Sequence, residues 1–242
     1  YFEKLYQRLI GDEYVSDKSG TKLVEIIAPR IQLDPTQPNL EFEGRKTPKK
    51  YVQLELEWYD SQDLGVEKIG EVASIWKNIA SSEGKINSNY GYLIYSEENF
   101  NQYENVIKEL KRSESSRQGI MIYNRPSIHY DSKHKGMSDF ICTLSHQFFI
   151  RDNRLHSVVN MRSNDAIYGF FNDFAWFSEV HTRVYNELVN EYPNLKAFAG
   201  IFSQPLLVCI WSLPQSILNL TLEIDFLLIS DCSHARFRLL AS

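Results

Sequence analysis

The stretch VVNMRSNDAIYGFFNDFAW, residues 158–176, joins a strand pattern to the beginning of a helix. Residues 155–162 read as a strand, and residues 172–192 repeat apolar side chains at helical spacing. The apolar stripe of that helix consists of Phe174, Phe177, Val180, Val184 and Leu188. Asp152-Asn153 is typical of a tight turn, so the strand at 140–151 should form a hairpin with the strand at 155–162.

Outward from this stretch, strands and helices mix without a regular strand–helix–strand repeat. This order favours an α+β fold, and the lack of an obvious linker favours a single domain. Residues 30–49 carry three prolines among polar side chains and are predicted to be loop. The other predicted helices are 1–10, 51–59, 71–80 and 99–112, and the other predicted strands are 22–28 and 119–123.

The composition is that of an ordinary globular chain. Of 242 residues, 43% are apolar, 24% are charged and 13% are aromatic, which excludes collagen-like, low-complexity and largely disordered classes. The net charge of −5 provides no general basic field for nucleic acid. Three cysteines are too few for a disulfide framework, so we expect reduced thiols and a cytoplasmic setting.

The composition changes near residue 200. Only five of the residues 201–242 are charged, against 52 of the preceding 200, and no charge lies between Lys196 and Glu223. Prolines and amide side chains interrupt this apolar run, which argues against a membrane span. We therefore treat residues 1–200 as one domain and residues 201–242 as an atypical C-terminal segment.

Several familiar catalytic and binding motifs are missing from the sequence. It contains no G-x-G-x-x-G, Walker A, H-E-x-x-H, C-x-x-C or G-x-S-x-G pattern, so nucleotide-cradling glycine loops, these metal sites and an α/β-hydrolase serine are unsupported. His129 and His134 flank Asp131 in IHYDSKHKG, and a solvated loop is the simpler interpretation than a metal site.

Cys142, in DFICTLSHQFFI, has two interpretations. A thiol within a predicted strand most often fills a small apolar space. A nucleophilic role would require nearby cations or helix N-termini that favour the thiolate. Arg162, Arg151 and Arg117 are the arginines on neighbouring predicted strands or their ends.

Three further groups of polar residues are candidates for function. Arg162 and Ser163 together could hold a phosphate through a forked guanidinium and a hydroxyl. Asn172 and Asp173 open the predicted long helix, where N-capping is the simple interpretation. For Glu55, in LELEWY, the simple interpretation is a position on the polar face of a helix, because acidic side chains are mostly exposed.

Four segments resemble the thymidylate synthase superfamily, and most closely its phage branch of deoxycytidylate hydroxymethylases. They are IWKNIASSEGKINSNYG (75–91), SRQGIMIYNRP (116–126), GMSDFICT (136–143) and residues 158–176. The resemblance covers roughly residues 15–195, and its motifs are long and in order. It implies an α+β fold with a twisted mixed sheet, paired back to back in a homodimer.

The resemblance also implies roles for individual residues. Cys142 falls at the nucleophile, Glu55 at the glutamate that organises protons around the base, and Tyr90 at the tyrosine beside the nucleophile. The substrate contacts implied are Arg162, Ser163, Asp165, Asp173 and Lys18, with Arg117 reaching the phosphate site of the partner subunit. The second arginine of the family's S-R-R motif is replaced here by Gln118. Trp76 is implied in binding the cofactor, 5,10-methylenetetrahydrofolate.

Asp173 bears on the choice of substrate, because thymidylate synthases resemble this stretch but place Asn there. An amide suits O4 and N3–H of uracil, whereas a carboxylate can accept from N4–H and a protonated N3 of cytosine. The resemblance thus implies hydroxymethylation of dCMP at C5 through a covalent Cys142–C6 adduct. A methyltransferase similar to thymidylate synthase is the alternative, since no single residue decides between water and hydride in the last step.

The sequence departs from the family after the long helix. The family's S-L-H-x-Y motif, which contacts the deoxyribose, is absent, and IFSQPLLVCIWSLPQSILNLTLEIDF stands in its place. Our hypothesis is a change of reading frame close to residue 200, or a degenerate gene, which leaves an inactive homologue as a third interpretation. Translation of the encoding DNA in the other frames tests the hypothesis, because a true frameshift would restore a sugar-contacting motif.

Overall fold

A computed structural model describes residues 5, 7–8, 11–16, 22–42, 45–166, 168–205, 207–211, 222–223 and 240–241. The strands are β1 (Val15–Ser16), β2 (Lys22–Ile27), β3 (Ile31–Leu33), β4 (Glu41–Phe42), β5 (Arg45–Lys46), β6 (Ile120–Ile122), β7 (Thr143–Arg151), β8 (Arg154–Met161), β9 (Asn164–Asp165), β10 (Lys196–Pro205), β11 (Leu207–Trp211), β12 (Leu222–Glu223) and β13 (Leu240–Ala241). The α-helices are α1 (Lys49–Ser61), α2 (Ile69–Val72), α3 (Ile75–Ile79), α4 (Tyr90–Tyr95), α5 (Gln102–Arg112), α6 (Ile128–Asp131) and α7 (Gly169–Leu188).

Two sheets organise the described residues. A five-stranded sheet has the order β3-β10-β8-β7-β6, with only β10 and β8 parallel, and a four-stranded sheet has the order β1-β2-β11-β9. Mixed sheets with helices packed on them confirm the predicted α+β class. Strand β10 runs through residue 200, so the backbone continues in one strand where the composition changes. No helix among the described residues combines the length and apolar character needed to cross a bilayer.

The β7–β8 hairpin confirms the predicted turn. Asp152 and Asn153 both have positive φ angles, 52° and 53°, as a two-residue turn matched to the strand twist requires. The pairing is regular up to Ser145↔Asn160 and then shifts, so that Thr143 faces Met161. One extra residue of β7 is therefore accommodated at the end of the hairpin farthest from the turn.

Helix α7 buries the predicted stripe, with Phe174, Phe177, Val180, Val184 and Leu188 each at most 3% exposed. The helix begins at Gly169 rather than at residue 172, so the capping interpretation of Asn172 and Asp173 is wrong. The physical reason lies just upstream, where an Asp165 carboxylate oxygen accepts from the backbone N–H of Tyr168 at 2.5 Å and turns the chain early.

Three other predicted boundaries differ from the structure. The predicted loop at 30–49 contains the short strands β3, β4 and β5. The predicted helix at 71–80 is two short helices, α2 and α3, because Ala73 is extended at φ −142°. Two left-handed residues, Phe100 and Asn101, delay the start of α5 until Gln102. Of the predicted helix at 1–10, Leu5, Gln7 and Arg8 are helical and the other residues lie outside the described part.

The strand predicted from residue 140 begins only at Thr143. The Arg162 side chain donates to the carbonyl oxygens of Phe140 and Ile141, at 2.5 and 3.0 Å, so these groups are used outside a strand ladder. Cys142 consequently lies in the loop immediately before β7 and not within a strand. IHYDSKHKG, predicted to be loop, contains α6 and a single 3₁₀ turn.

Gly91 allows α4 to approach α1 closely. A Cβ atom at this position would lie 1.8 Å from the carbonyl oxygen of Tyr59, far inside contact distance. The rings of Tyr59 and Tyr90 stack beside this crossing at a centroid distance of 5.3 Å. A side chain at residue 91 would therefore push apart two helices that carry site residues.

We expect Gly91→Ala to lower the free energy of unfolding by about 3 kcal/mol, the upper end of the usual cost of overpacking. Urea denaturation measures this loss. Gly169→Ala is the matched control, because a Cβ atom at this position would lie 3.6 Å from its nearest neighbours, which is ordinary contact distance. Equal unfolding midpoints for Gly91→Ala and the parent would contradict the close approach of the two helices.

His146 and His181 are buried between the sheet and α7, at 0% and 1% exposure. His181 Nδ1 lies 3.1 Å from Ser157 Oγ, whereas neither ring nitrogen of His146 has a hydrogen-bond partner among the described residues. Burial lowers the pKa of His181 to about 4 and holds the pKa of His146 well below its ordinary value. Both imidazoles are therefore neutral in the folded chain at pH 7.

We expect acid to destabilise the fold through these histidines. Below about pH 6.5 the unfolded chain binds protons that the folded chain excludes, so stability is full above that pH and falls beneath it. His146→Leu should make the loss between pH 6.5 and 5 shallower by about 1 kcal/mol per pH unit. Urea denaturation at several pH values measures the slope, and His134→Leu, at an exposed histidine, is the control. An unchanged slope in His146→Leu would rule out this source of acid sensitivity.

Candidate active site

The β7–β8 hairpin brings Cys142 and Arg162 together. Cys142 precedes β7 and Arg162 follows β8, and the Arg162 backbone N–H donates to the Cys142 carbonyl at 2.8 Å. One guanidinium nitrogen, Nη2, lies 3.4 Å from the half-buried Cys142 Sγ. A cation at this distance favours thiolate over thiol. The thiol thus lies against a guanidinium as well as against the edge of the hydrophobic core.

The other two candidate arginines lie away from this thiol. Arg151 ends β7, eight residues beyond Thr143, and donates to the carbonyls of Glu114 and Ser115. Arg117 is exposed on the turn before β6, and its carbonyl accepts from Gln147 Nε2 at 2.8 Å. Among the described residues, Arg162 is therefore the arginine in contact with Cys142.

A buried carboxylate joins the Cys142 loop to the segment before α4. One Asp139 oxygen accepts from the backbone N–H groups of Asn87 and Ser88 at 2.7 and 2.8 Å, and the other accepts from Ser88 Oγ at 2.6 Å. Burial raises the pKa of Asp139, although these hydrogen bonds oppose the rise. Asp139 was not among the predicted site residues.

Tyr90, at the start of α4, is thereby placed beside Cys142. Its Oη accepts from Thr143 Oγ1 at 2.9 Å, and Thr143 is the residue after the nucleophile candidate. Burial raises the pKa of Tyr90 well above its ordinary value, and the charges of Asp173 and Cys142 add to the rise. The phenol therefore stays protonated and able to donate near neutral pH.

Two acidic side chains meet in the same region. Glu55, on α1, is 5% exposed, so the interpretation that it lies on a polar helix face is wrong. Burial raises its pKa to about 7, against the lowering effect of a hydrogen bond from Tyr51. Asp173, on α7, is surrounded by protein on most sides but keeps some exposure. Its pKa rises to about 8 through burial first and the charge of Glu55 second.

Asn164 contacts Asp173 and was missed by the sequence analysis. Its Nδ2 donates to Asp173 Oδ2 at 3.0 Å. The Oδ1 atoms of Asn164 and Asn172 are buried and have no hydrogen-bond partner among the described residues. Asn164 lies in the R-S-N-D run next to Asp165, and this neighbourhood was the available signal.

Tyr51 is a second missed residue. It lies four residues before Glu55 on α1, so both side chains are on one helix face. Its phenol donates to Glu55 Oε1 at 2.6 Å and accepts from the indole N–H of Trp76 at 3.0 Å. Trp76 is half-buried and packs edge-on against Trp58, with ring centroids 5.0 Å apart.

The remaining predicted residues are less closely involved. Ser163 is half-buried beside Arg162, and Asp165 directs its carboxylate at the Tyr168 N–H. Lys18 lies outside the described residues. His129 packs edge-on against Phe140 at 5.4 Å, in an open cleft of about 430 Å³ that Arg162 also lines. The described residues contain no cluster of three or more acidic, histidine or cysteine side chains that could hold a metal.

Comparisons with known proteins identify the family of the chain. The family model described as thymidylate synthase matches residues 2–187. A deoxycytidylate 5-hydroxymethyltransferase of Enterobacteria phage T6 is 45% identical over 189 residues, covering 78% of this chain and 75% of the relative. The enzyme of that name from Enterobacteria phage T4 is 46% identical over 73% of this chain and 70% of its own length.

A more distant relative and a solved structure extend the likeness. A putative thymidylate synthase of Methanocaldococcus jannaschii is 30% identical over 70% of each chain. The crystal structure of thymidylate synthase from T4 phage superposes with a TM-score of 0.64 at 18% identity, covering 89% of this chain and 79% of the other, and so supports the fold alone. The chain therefore belongs to the thymidylate synthase family, whose chemistry is folate-dependent one-carbon transfer to a pyrimidine nucleotide.

Proposed function

We propose that the chain is a transferase that hydroxymethylates dCMP at C5, with 5,10-methylenetetrahydrofolate as the one-carbon donor. The observation that carries the proposal is Asp173, whose carboxyl lies close enough to Glu55 and Tyr90 to influence the pKa of Tyr90 and to be influenced by the charge of Glu55. An acid occupies this position where the resemblance places an amide in thymidylate synthases. Two phage relatives at 45% and 46% identity are named for hydroxymethyl transfer to deoxycytidylate, which supports the same substrate.

Cytosine recognition follows from the protonation of Asp173. Because its pKa is raised to about 8, the carboxyl carries a proton at neutral pH. It can donate that proton to N3 of cytosine while its other oxygen accepts from the N4 amino group. Transfer of the proton to N3 along this hydrogen bond leaves an ion pair with the same two contacts. The cytosine ring then carries the positive charge that makes C6 electrophilic.

Attack by Cys142 uses this activation. The thiolate held by Arg162 forms a bond to C6, and the electron pair of the C5–C6 double bond makes C5 nucleophilic. The folate supplies the one-carbon unit that C5 takes up. Loss of the C5 proton to solvent and departure of tetrahydrofolate would leave an exocyclic methylene at C5. Water would then add to the methylene, and the electron pair returned to C5 would re-form the C5–C6 double bond and expel the Cys142 thiolate.

Glu55 is placed to move protons during these steps. A pKa of about 7 keeps both of its forms populated near neutral pH, which is the condition for efficient general acid–base catalysis. In the proposed reaction Glu55 positions the water and accepts its proton as the water adds to the methylene. Tyr90, which stays protonated, donates a hydrogen bond beside the reacting ring.

Phosphate binding would use Arg162 and Ser163 of one chain, with Lys18. The contacts of Arg162 to the Phe140 and Ile141 carbonyls use Nε and Nη2, so Nη1 takes no part in them. We propose that Arg117 of a second copy completes the site in a homodimer. Its exposed position at the edge of the five-stranded sheet supports this role.

The surroundings of Trp76 fit a flat aromatic cofactor. Trp76 is half-buried beside Tyr51 and Glu55, and its neighbours Val72 and Ile75 are 50% and 56% exposed. Exposed apolar side chains next to an indole provide a surface on which a folate ring can stack. Trp76 would hold the cofactor by stacking.

Both nucleotide and folate are cytoplasmic metabolites, so we propose that the chain acts in the cytoplasm.

Product analysis tests the proposal. The purified chain is incubated with 5,10-methylenetetrahydrofolate and either dCMP or dUMP, and products are identified by mass spectrometry. We expect 5-hydroxymethyl-dCMP. A 5-methyl product together with dihydrofolate would instead establish the activity of a thymidylate synthase.

An inactive homologue is the second candidate, favoured by the missing S-L-H-x-Y motif and the atypical composition of residues 201–242. Release of tritium from C5 of labelled dCMP separates the two candidates, because it requires only the covalent step and proton exchange. A chain that releases none, with folate supplied, would be an inactive homologue.

A further inference from the structure

A chain of two hydrogen bonds connects Trp76 to Glu55 through Tyr51. The Trp76 indole N–H donates to Tyr51 Oη at 3.0 Å, and Tyr51 donates to Glu55 Oε1 at 2.6 Å. Trp76 lies 25 residues from Tyr51 in sequence, so the fold assembles this contact. All three side chains are at least half-buried.

We propose that Tyr51 is a positioning residue that reserves Oε1 of Glu55 as an acceptor and so confines the exchangeable proton of Glu55 to Oε2. The inference rests on the proposed catalytic role of Glu55 and goes beyond it, since it assigns the two carboxyl oxygens different tasks. Tyr51 itself touches Glu55 and Trp76, and acts through Glu55.

The direction of the hydrogen bonds follows from the chemistry of the donors. An indole N–H can only donate, so the Tyr51 oxygen must accept from Trp76. The single phenol proton is then directed at Glu55, whether that carboxyl is ionised or neutral. Oε1 accepts in both states, and the titrating proton is consequently bound at Oε2.

The phenol remains a donor throughout the working pH range. Burial and the charge of Glu55 raise the pKa of Tyr51 far above its ordinary value, so deprotonation does not compete. The hydrogen bond stabilises the charged form of Glu55 more than its neutral form, and it opposes the effect of burial. Loss of the phenol oxygen should therefore favour protonation of Glu55.

The test begins with the full chain without nucleotide or folate. Carbon NMR follows the titration of the Glu55 carboxyl, whose resonance is assigned with Glu55→Gln. In Tyr51→Phe the pKa of Glu55 should rise from about 7 by about one unit. The indole N–H resonance of Trp76, assigned with Trp76→Phe, should move towards the position of an unbonded indole. A Glu55 midpoint that stays or falls would overturn the proposal, as would an unchanged Trp76 resonance.

Tyr192→Phe is the matched control. Tyr192 Oη donates to the Leu110 carbonyl at 2.7 Å at the end of α5, so this variant also loses a structural phenol hydrogen bond. It should leave the Glu55 titration and the Trp76 resonance unchanged. If it moved them as far as Tyr51→Phe does, the effect would be general loosening, and the proposal would be wrong.

Activity provides a separate measurement. The pH profile of tritium release from C5 of dCMP reports an apparent pKa for Glu55. In Tyr51→Phe this apparent pKa should rise by the same amount as the pKa measured by NMR. The KM for dCMP should change less than about twofold, because in the proposal Tyr51 acts through Glu55 and not on the nucleotide. A parent chain without tritium release would contradict the proposed function, while the NMR titration would still decide the role of Tyr51.

Discussion

The Cys142→Ser variant should lose the release of tritium from C5 of dCMP by at least about four orders of magnitude. A serine hydroxyl has the same position beside Arg162 but is un-ionised near neutral pH, so it cannot form the bond to C6. Hydroxymethyl product should fall in parallel, because the covalent adduct precedes both events. The KM or dissociation constant for dCMP should change little, since the proposed phosphate and base contacts remain.

Intact-protein mass spectrometry provides the matching measurement. When 5,10-methylenetetrahydrofolate is supplied, a 5-fluoro analogue of dCMP cannot lose fluorine as a cation, so the parent should retain a covalent adduct and Cys142→Ser should not. Cys209→Ser removes another thiol, in β11, and should behave as the parent does. An adduct on Cys142→Ser, or tritium release within tenfold of the parent, would show that Cys142 is not the nucleophile.

Asp173→Asn should shift the preference from dCMP towards dUMP, chiefly by lowering kcat for dCMP. An amide can rotate to satisfy N3 and N4 of neutral cytosine, so binding is retained in part. It has no proton to transfer to N3, and loss of such an acid costs about two to four orders of magnitude in rate. With uracil the amide donates to O4 and accepts from N3–H, and no such proton is required.

Parallel assays of kcat and KM on dCMP and dUMP measure this shift. Asp152→Asn is the control, because it makes the same chemical change at an exposed residue in the turn of the β7–β8 hairpin. The ratio of the two substrates should therefore stay near that of the parent. If Asp173→Asn kept the parent's ratio of kcat/KM, the account of base recognition would be wrong.

Local sequence patterns predicted much of the scaffold. The turn at Asp152-Asn153 and the apolar stripe of α7 are encoded in neighbouring residues, and both are confirmed. The hairpin that follows from the turn already places Arg162 near Cys142, since the two residues flank paired strands. These features need no knowledge of distant segments.

Other features depend on contacts across the chain. Glu55 reads as a surface acid on its own helix, but α4 and α7 pack against that helix and Glu55 is buried. The Asp139 contacts join residues 52 positions apart, which no local periodicity reveals. The start of α7 was wrong by three residues because one Asp165 hydrogen bond turns the chain early.

The extra residue at the end of β7 has a consequence for evolution. Side chains on a strand alternate between faces, so adding or removing one residue reverses the direction of every side chain beyond that point. His146, Phe148 and Ile150 face the core, and the shift at residue 144 returns Thr143 to the same face. Thr143 thereby meets Tyr90, and the next residue back, Cys142, lies against Arg162. The number of residues between Cys142 and the hairpin turn is therefore fixed by parity. Substitutions in β7 can be tolerated, whereas deletion of a single residue would turn the Cys142 side chain to the opposite face.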